Sequence, residues 1–285
     1  CRQTKNQKNR NNGKKMLRRW CFAKATLKHC ALFTPHFVPM RELHARSKKA
    51  TEFLLKGWHY KQEVDRVLPH AFNNDSRLFG DIRRAKRNFE MALEADSSNA
   101  HARYLLGKMH LDYYTPERSK IFGLALIKEA AEMGDPDAQY DMACRFRRGV
   151  VIVPDDEALY HLQKAGQMLH PGALYLLGAM YLTGDCVQKD VASAVWCFHK
   201  ASEKGHAGAA IAYGSLLLQG IEVPELIRRL HLKRGSAGLD RVEMARKQFE
   251  IGAQAGSKLG LVWLRRLNEE EKHLQQKNLK AVSSS

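Results

Sequence analysis

The residues able to do chemistry in this 285-residue chain are 13 histidines, six cysteines, 30 Asp and Glu, and 47 Lys and Arg. A metal centre or catalytic dyad usually announces itself by short, fixed spacings, and none is present. The histidines stand singly: His101 and His110 are nine apart, His161 and His170 likewise, and His199 and His206 seven. No HExxH occurs, and Cys21 and Cys30 are too far apart for a zinc knuckle. The cysteines (Cys1, Cys21, Cys30, Cys144, Cys186, Cys197) form no CxxC pair, so reduced thiols are expected. There is no GxSxG, P-loop or dinucleotide glycine signature. Asp155-Asp156-Glu157 follows Pro154 and reads as a helix start whose carboxylates suit the helix dipole. These patterns predict no catalytic residue, no metal, no cofactor and no small-molecule substrate.

The basic residues do have a pattern. The formal net charge is +17, yet residues 1–50 hold 14 Lys and Arg against the single acid Glu42, a net of +13. The other 235 residues carry 33 basic and 29 acidic side chains, a net of only +4. A cationic leader on a near-neutral body is suited to a polyanion, because Lys and Arg neutralise phosphates and release counterions. The candidate RNA-phosphate contacts are Lys5, Lys8, Arg10, Lys14, Lys15, Arg18 and Arg19, then Arg41, Arg46, Lys48 and Lys49. A second cluster, Arg228, Arg229, Lys233 and Arg234, lies far downstream. Trp20 and Trp58 are candidate partner contacts, since the leader shows no core of its own to bury them. The same acid-poor leader also fits an organellar targeting segment, so binding extension and targeting sequence both stay open.

These side chains need elements to carry them. The first fifteen residues contain no large aliphatic or aromatic side chain and are expected to be extended until a partner orders them. Helical spacing follows around Arg18 and again from Arg41 to Leu68, and a loop at Pro69–Gly80 closes the leader. The body is repetitive. Segments from Ala100, Pro136, Pro171 and Ala207 align without gaps, placing Ala102, Ala138, Ala173 and Ala209 at one position and Gly107, Ala143, Gly178 and Gly214 five residues on. Each is followed by a second helical pattern aligning Ala130, Ala165, Ala201 and Gly252, with Gly134, Gly205 and Gly256 after it and Leu169 breaking that glycine series. The unit is therefore an antiparallel helix pair of about 35 residues. One step is longer: from Ala209 to Gly260 is 51 residues, because a stretch at about 221–238 is inserted, and it is expected as a projecting basic loop.

ALYLLGAMYLTGDCVQKDVASAVWCFHKASEKGHAGA, residues 173–209, resembles the Sel1-like repeat, a relative of the tetratricopeptide repeat. Cys186 stands where that family usually has the second glycine of its inter-helix loop. The resemblance covers about residues 81–266 and implies an all-α fold, an α-solenoid of antiparallel helix pairs, used for scaffolding or partner binding. The expected organisation is a basic, partly extended N-terminal arm with short helices at 1–80, a solenoid at 81–272 and a polar tail at 273–285.

Composition excludes two classes. No run approaches the roughly 18 apolar residues of a membrane span, and 44% hydrophobic residues argue against whole-chain disorder. The function expected is a non-catalytic structural subunit of an RNA–protein assembly, above all a mitochondrial ribosome in the matrix. Its arm would follow rRNA phosphates and its solenoid would meet neighbouring ribosomal or assembly proteins. The alternative is a Sel1-type protein–protein adaptor in an organellar or signalling complex, with the leader acting in targeting.

Overall fold

The structure, a computed structural model, describes residues 47–68, 76–113, 118–147, 155–233 and 240–283. Among these there are twelve helices and no strand. In order they are α1 Lys48–Val67, α2 Ser76–Ala95, α3 Ala100–Asp112, α4 Lys120–Glu132, α5 Pro136–Arg147 and α6 Asp155–Gln167. Then come α7 Pro171–Thr183, α8 Val191–Glu203, α9 Ala207–Leu218, α10 Glu225–Lys233, α11 Arg241–Gln254 and α12 Lys258–Ser283. They separate into two compact units, one ending at Met168 and the other running from Leu169. The fold class is that of an α-solenoid of helix pairs, as expected.

In the N-terminal unit α1 pairs with α2, α3 with α4 and α5 with α6. In the C-terminal unit α7 pairs with α8, α9 with α11, and α11 with α12. The pairs close on small residues. A Cβ at Gly178 would lie 2.8 Å from Phe198 on α8, and one at Gly214 would lie 2.6 Å from Phe249 on α11. Gly107 and Gly123 instead meet through their backbones, each Cβ falling within 3 Å of the other's carbonyl oxygen. The helices of each pair thus approach as closely as an absent methyl allows, which is why the repeat holds a small residue there.

Gly57 extends this device beyond the repeats visible in the sequence. It is buried in α1, and a Cβ on it would stand 2.7 Å from the Phe89 ring of α2. Val64, Ile82, Phe89, Leu105 and Met109 then share one core across α1, α2 and α3. Lys48–Val67 is therefore packed against the body as the first helix of a pair, although composition groups it with the leader.

One expectation of local structure changes, and one is filled in. The 221–238 insertion is expected as a loop, but Glu225–Lys233 is helical, and Val223 and Ile227 are buried at 5% and 0% exposure. The period-four spacing of Val223 and Ile227 provides the apolar anchor that a projecting loop lacks. The polar tail from residue 273 is helical to Ser283 as the end of α12, consistent with its Leu, Gln and Lys residues.

Candidate interaction site

Each first helix begins with the same contact made by a different residue. Asn99 accepts a hydrogen bond from the Ala102 amide at 3.0 Å, and Asp135 one from Ala138 at 2.8 Å. His170 accepts from Ala173 at 3.1 Å and His206 from Ala209 at 3.0 Å, both through Nδ1. These N-caps satisfy an otherwise orphan amide. They stand three residues before the aligned alanines, and so share the repeat spacing.

This register places one side chain of each turn on a common face. In the N-terminal unit the face is built from α1, α3 and α5. Trp58 on α1 is 39% exposed, with its ring 6.5 Å from that of His101 on α3. Lys61 lies 5.7 Å over Trp58 and 5.9 Å over Tyr113, and its ammonium pairs with Asp65 at 2.6 Å. The buried Tyr113 hydroxyl donates to Asp65, tying the end of α3 to α1. Farther along, Lys108 bridges Asp112 at 2.7 Å and Asp141 at 4.0 Å, and Arg145 reaches Asp141 at 2.9 Å.

The electrostatics of this face are dominated by carboxylates. Burial, and then the charges of Asp141, Asp137, Asp135 and Asp112, push the Tyr104 phenol far above its usual range. His101 Nδ1 lies 3.0 Å from Asp135 Oδ2 and 3.6 Å from Asp137 Oδ2. Burial opposes a charge on this imidazole, but the hydrogen bond to Asp135 and the two carboxylate charges outweigh it and hold the ring above its ordinary value. The grouping of His101, Asp135 and Asp137 is invisible to motif spacing, because the residues lie 34 and 36 apart. The repeat itself carries the signal: His101 and Asp137 occupy the same position, two residues past successive caps.

Of the anticipated site residues, Lys48, Lys49, Trp58, Arg228, Arg229 and Lys233 lie within the described residues. Lys5, Lys8, Arg10, Lys14, Lys15, Arg18, Arg19, Trp20, Arg41, Arg46 and Arg234 lie outside the described residues. Lys48 and Lys49 are exposed on the first turn of α1. Arg228 and Arg229 are exposed but face Glu225 of their own helix, at 3.6 and 3.1 Å. Lys233 ends that helix. Arg87 likewise meets Glu90 and Glu94, and Arg84 meets Asp81, so several of these cations are paired within their own helix although each helix keeps a net positive charge.

Thiol chemistry has no support among the described cysteines. Cys197 is buried in α8, which pushes its thiol up to about 12. Cys144 and Cys186 form no disulfide.

Helix pairs at a 35–36-residue step, closed on small residues and capped at one register, define a helical-repeat protein. Residues 100–135, 136–168 and 171–206 each match the Sel1 repeat, together a little over a third of the chain. No curated protein matches the chain. Among solved structures it is similar to a Sel1 repeat protein from Oxalobacter formigenes, at 26% identity and a TM-score of 0.42, covering 50% of this chain and 97% of that one. It is also similar to c5321, a protective antigen of uropathogenic Escherichia coli displaying an SLR fold, at 20% identity and a TM-score of 0.46, covering 82% and 52%. A third is the immunity protein Pa5087 from Pseudomonas aeruginosa, at 18% identity and a TM-score of 0.49, covering 77% and 71%. No helix among the described residues is long and apolar enough to cross a membrane.

Proposed function

We propose that this protein is a non-catalytic protein–protein adaptor that docks a segment of a partner against the face of α1, α3 and α5. The observation that carries the reading is Trp58, a large aromatic left 39% exposed in a helix whose other face is packed. It is flanked by ion pairs on one side and by His101 and Tyr104 on the other. An aromatic anchor inside a polar rim is the composition of a binding hot spot. The three matches to the Sel1 repeat support the same reading, as repeat arrays offer extended surfaces rather than a reaction chamber.

The test is photo-crosslinking. A photoreactive residue replacing Trp58 should trap a discrete protein in cells, and the adduct should survive nuclease. The same residue at Tyr160, 53% exposed on α6, serves as the comparison. Against the purified partner, Trp58→Ala should weaken binding about tenfold or more. A Trp58 adduct destroyed by nuclease, or an unchanged affinity, removes the reading.

A second reading, the ribosomal one, draws on the concentration of charge in residues 1–50. On it the arm follows rRNA phosphates while the repeats meet proteins, and removing residues 1–46 would release the protein from particles without changing helix content. The adaptor reading is preferred because Arg84, Arg87, Arg228 and Arg229, outside the arm, each already meet a carboxylate of their own helix.

A further inference from the structure

Asp135 is a carboxylate buried to 4% exposure whose two oxygens have different roles. Oδ1 accepts from the Ala138 amide and so meets the positive end of α5. Oδ2 is turned toward His101 Nδ1, and Asp137, in the first turn of α5, adds a second carboxylate oxygen 3.6 Å from the same nitrogen. One donor atom from each of the three residues falls within 4.8 Å of the others.

We propose that His101, Asp135 and Asp137 form a binding site for a divalent transition-metal cation, with Zn2+ the best match.

Donor spacing is the first argument. With metal–ligand bonds of about 2.0–2.2 Å, neighbouring donors in tetrahedral or octahedral geometry stand roughly 2.8–3.6 Å apart. The nitrogen-to-oxygen distances of 3.0 and 3.6 Å fall within that interval. The separation of the two carboxylate oxygens closes by rotation of Asp137, whose side chain is 41% exposed. Donor type is the second. One imidazole nitrogen and two carboxylate oxygens suit Zn2+, whereas Ca2+ requires six to eight oxygens, which this set does not supply.

The surroundings give an independent reason. His101 Nδ1 faces two carboxylates at once, Asp135 at 3.0 Å and Asp137 at 3.6 Å, and a dication among them would offset their like charges. The contact of Asp135 Oδ1 with the Ala138 amide is what a metal-binding carboxylate needs from its outer shell, fixing the plane of the group before the ion arrives. Trp58 and Tyr104 wall the imidazole on two sides, while His101 remains 35% exposed, leaving an entry path and room for water on the ion. None of this depends on whether the face docks a partner.

The experiment titrates the full chain, stripped with chelator and kept reduced, with ZnCl2 and separately with CaCl2 by calorimetry. Because the cysteines and other histidines can add background binding, the readout is the difference between wild type and variants. Wild type should show a saturable site of unit stoichiometry that weakens about tenfold or more in Asp137→Asn and His101→Ala. His170→Asn should bind like wild type, and Ca2+ should leave the site empty. Asp137 is exposed, so its variant keeps the test decisive even where His101→Ala unfolds. An identical Zn2+ isotherm for wild type and Asp137→Asn, or Ca2+ binding as tight as Zn2+, overturns the proposal.

Discussion

Replacing Gly178 by alanine sets two opposing effects against each other. In an isolated helix the change favours folding by about 0.8–1 kcal/mol, because alanine loses less backbone entropy. Here the new Cβ would lie 2.8 Å from Cε1 and 2.9 Å from Cδ1 of Phe198. Carbon contacts are optimal at about 3.5–4.0 Å, so the ring must retreat by most of an ångström. It has little room to do so: Phe198 is 2% exposed, with Tyr175 against it at 6.0 Å between ring centroids. Overpacking of this kind costs about 1–3 kcal/mol, so the net change should be a loss of up to about 2 kcal/mol. Gly80, within α2, has nothing within 4 Å of the place its Cβ would take, so Gly80→Ala should stabilise by about 0.5–1 kcal/mol. Gly107→Ala should be the worst of the three, since its Cβ would meet the Gly123 carbonyl oxygen at 2.8 Å and backbone yields less than a ring. Repeat units need not unfold together. The assay should therefore pair the urea midpoint with hydrogen exchange of the α7 and α8 amides. Adding Phe198→Leu to Gly178→Ala should recover part of the loss, a coupling of about 0.5–3 kcal/mol. If Gly178→Ala raises the midpoint as Gly80→Ala does, the helices do not meet at that glycine and the account of pair closure is wrong.

Two other predictions concern the ends of helices. Leu169 holds φ +59° where the aligned positions are Gly134, Gly205 and Gly256, so Leu169→Gly should raise the urea midpoint by an amount equivalent to about 1 kcal/mol; a lowered midpoint would mean that its side-chain packing outweighs the left-handed backbone. Burial, with His170 adding to it, holds His206 below the ordinary imidazole range, so native protein favours the neutral cap, and its stabilisation is complete above about pH 6.5 and declines as pH falls toward the depressed native value. His206→Asn keeps an acceptor for the Ala209 amide, and the stability difference between wild type and variant should therefore grow in the variant's favour on acidification, toward about 1 kcal/mol. A difference independent of pH would show that the ring does not cap as a neutral acceptor.

Much of the fold was legible because the alignment of Ala102, Ala138, Ala173 and Ala209 rests on packing, which repeats. What the letters concealed is informative in each case. The first pair, α1 with α2, escaped notice because its second helix begins after a segment rich in Asn, Asp and Pro, and because Lys48 and Lys49 make α1 look like leader. The glycine that closes it, Gly57, meets Phe89 at 32 residues' separation rather than the 20 between Gly178 and Phe198, so no fixed period exposes it. Helix α10 was hidden by its charge: Arg228 and Arg229 read as a cationic finger until Glu225, three and four residues earlier, is seen to face both. The candidate site was harder still. Its histidine lies at the start of α3 and its two aspartates at the cap and first turn of α5, and only packing of successive first helices makes them neighbours.

The cap register explains why such a cluster arises at one repeat and not at the others. The structural demand at that position is a single acceptor for the amide three residues on, and Asn99, Asp135, His170 and His206 all meet it. A neutral imidazole uses its only bare nitrogen, and an amide its only oxygen, so neither offers a second, charged acceptor atom. A carboxylate does. The surplus oxygen of Asp135 gains a use because the residue two past the cap is His101 on α3 and Asp137 on α5. The equivalent positions farther on are Gly172 and Gly208, beside which Tyr175 stacks on the His206 ring at 4.7 Å. Repetition thus keeps the backbone contact while leaving the second valence of the side chain free to vary, and that is where an otherwise uniform array acquires a local chemistry.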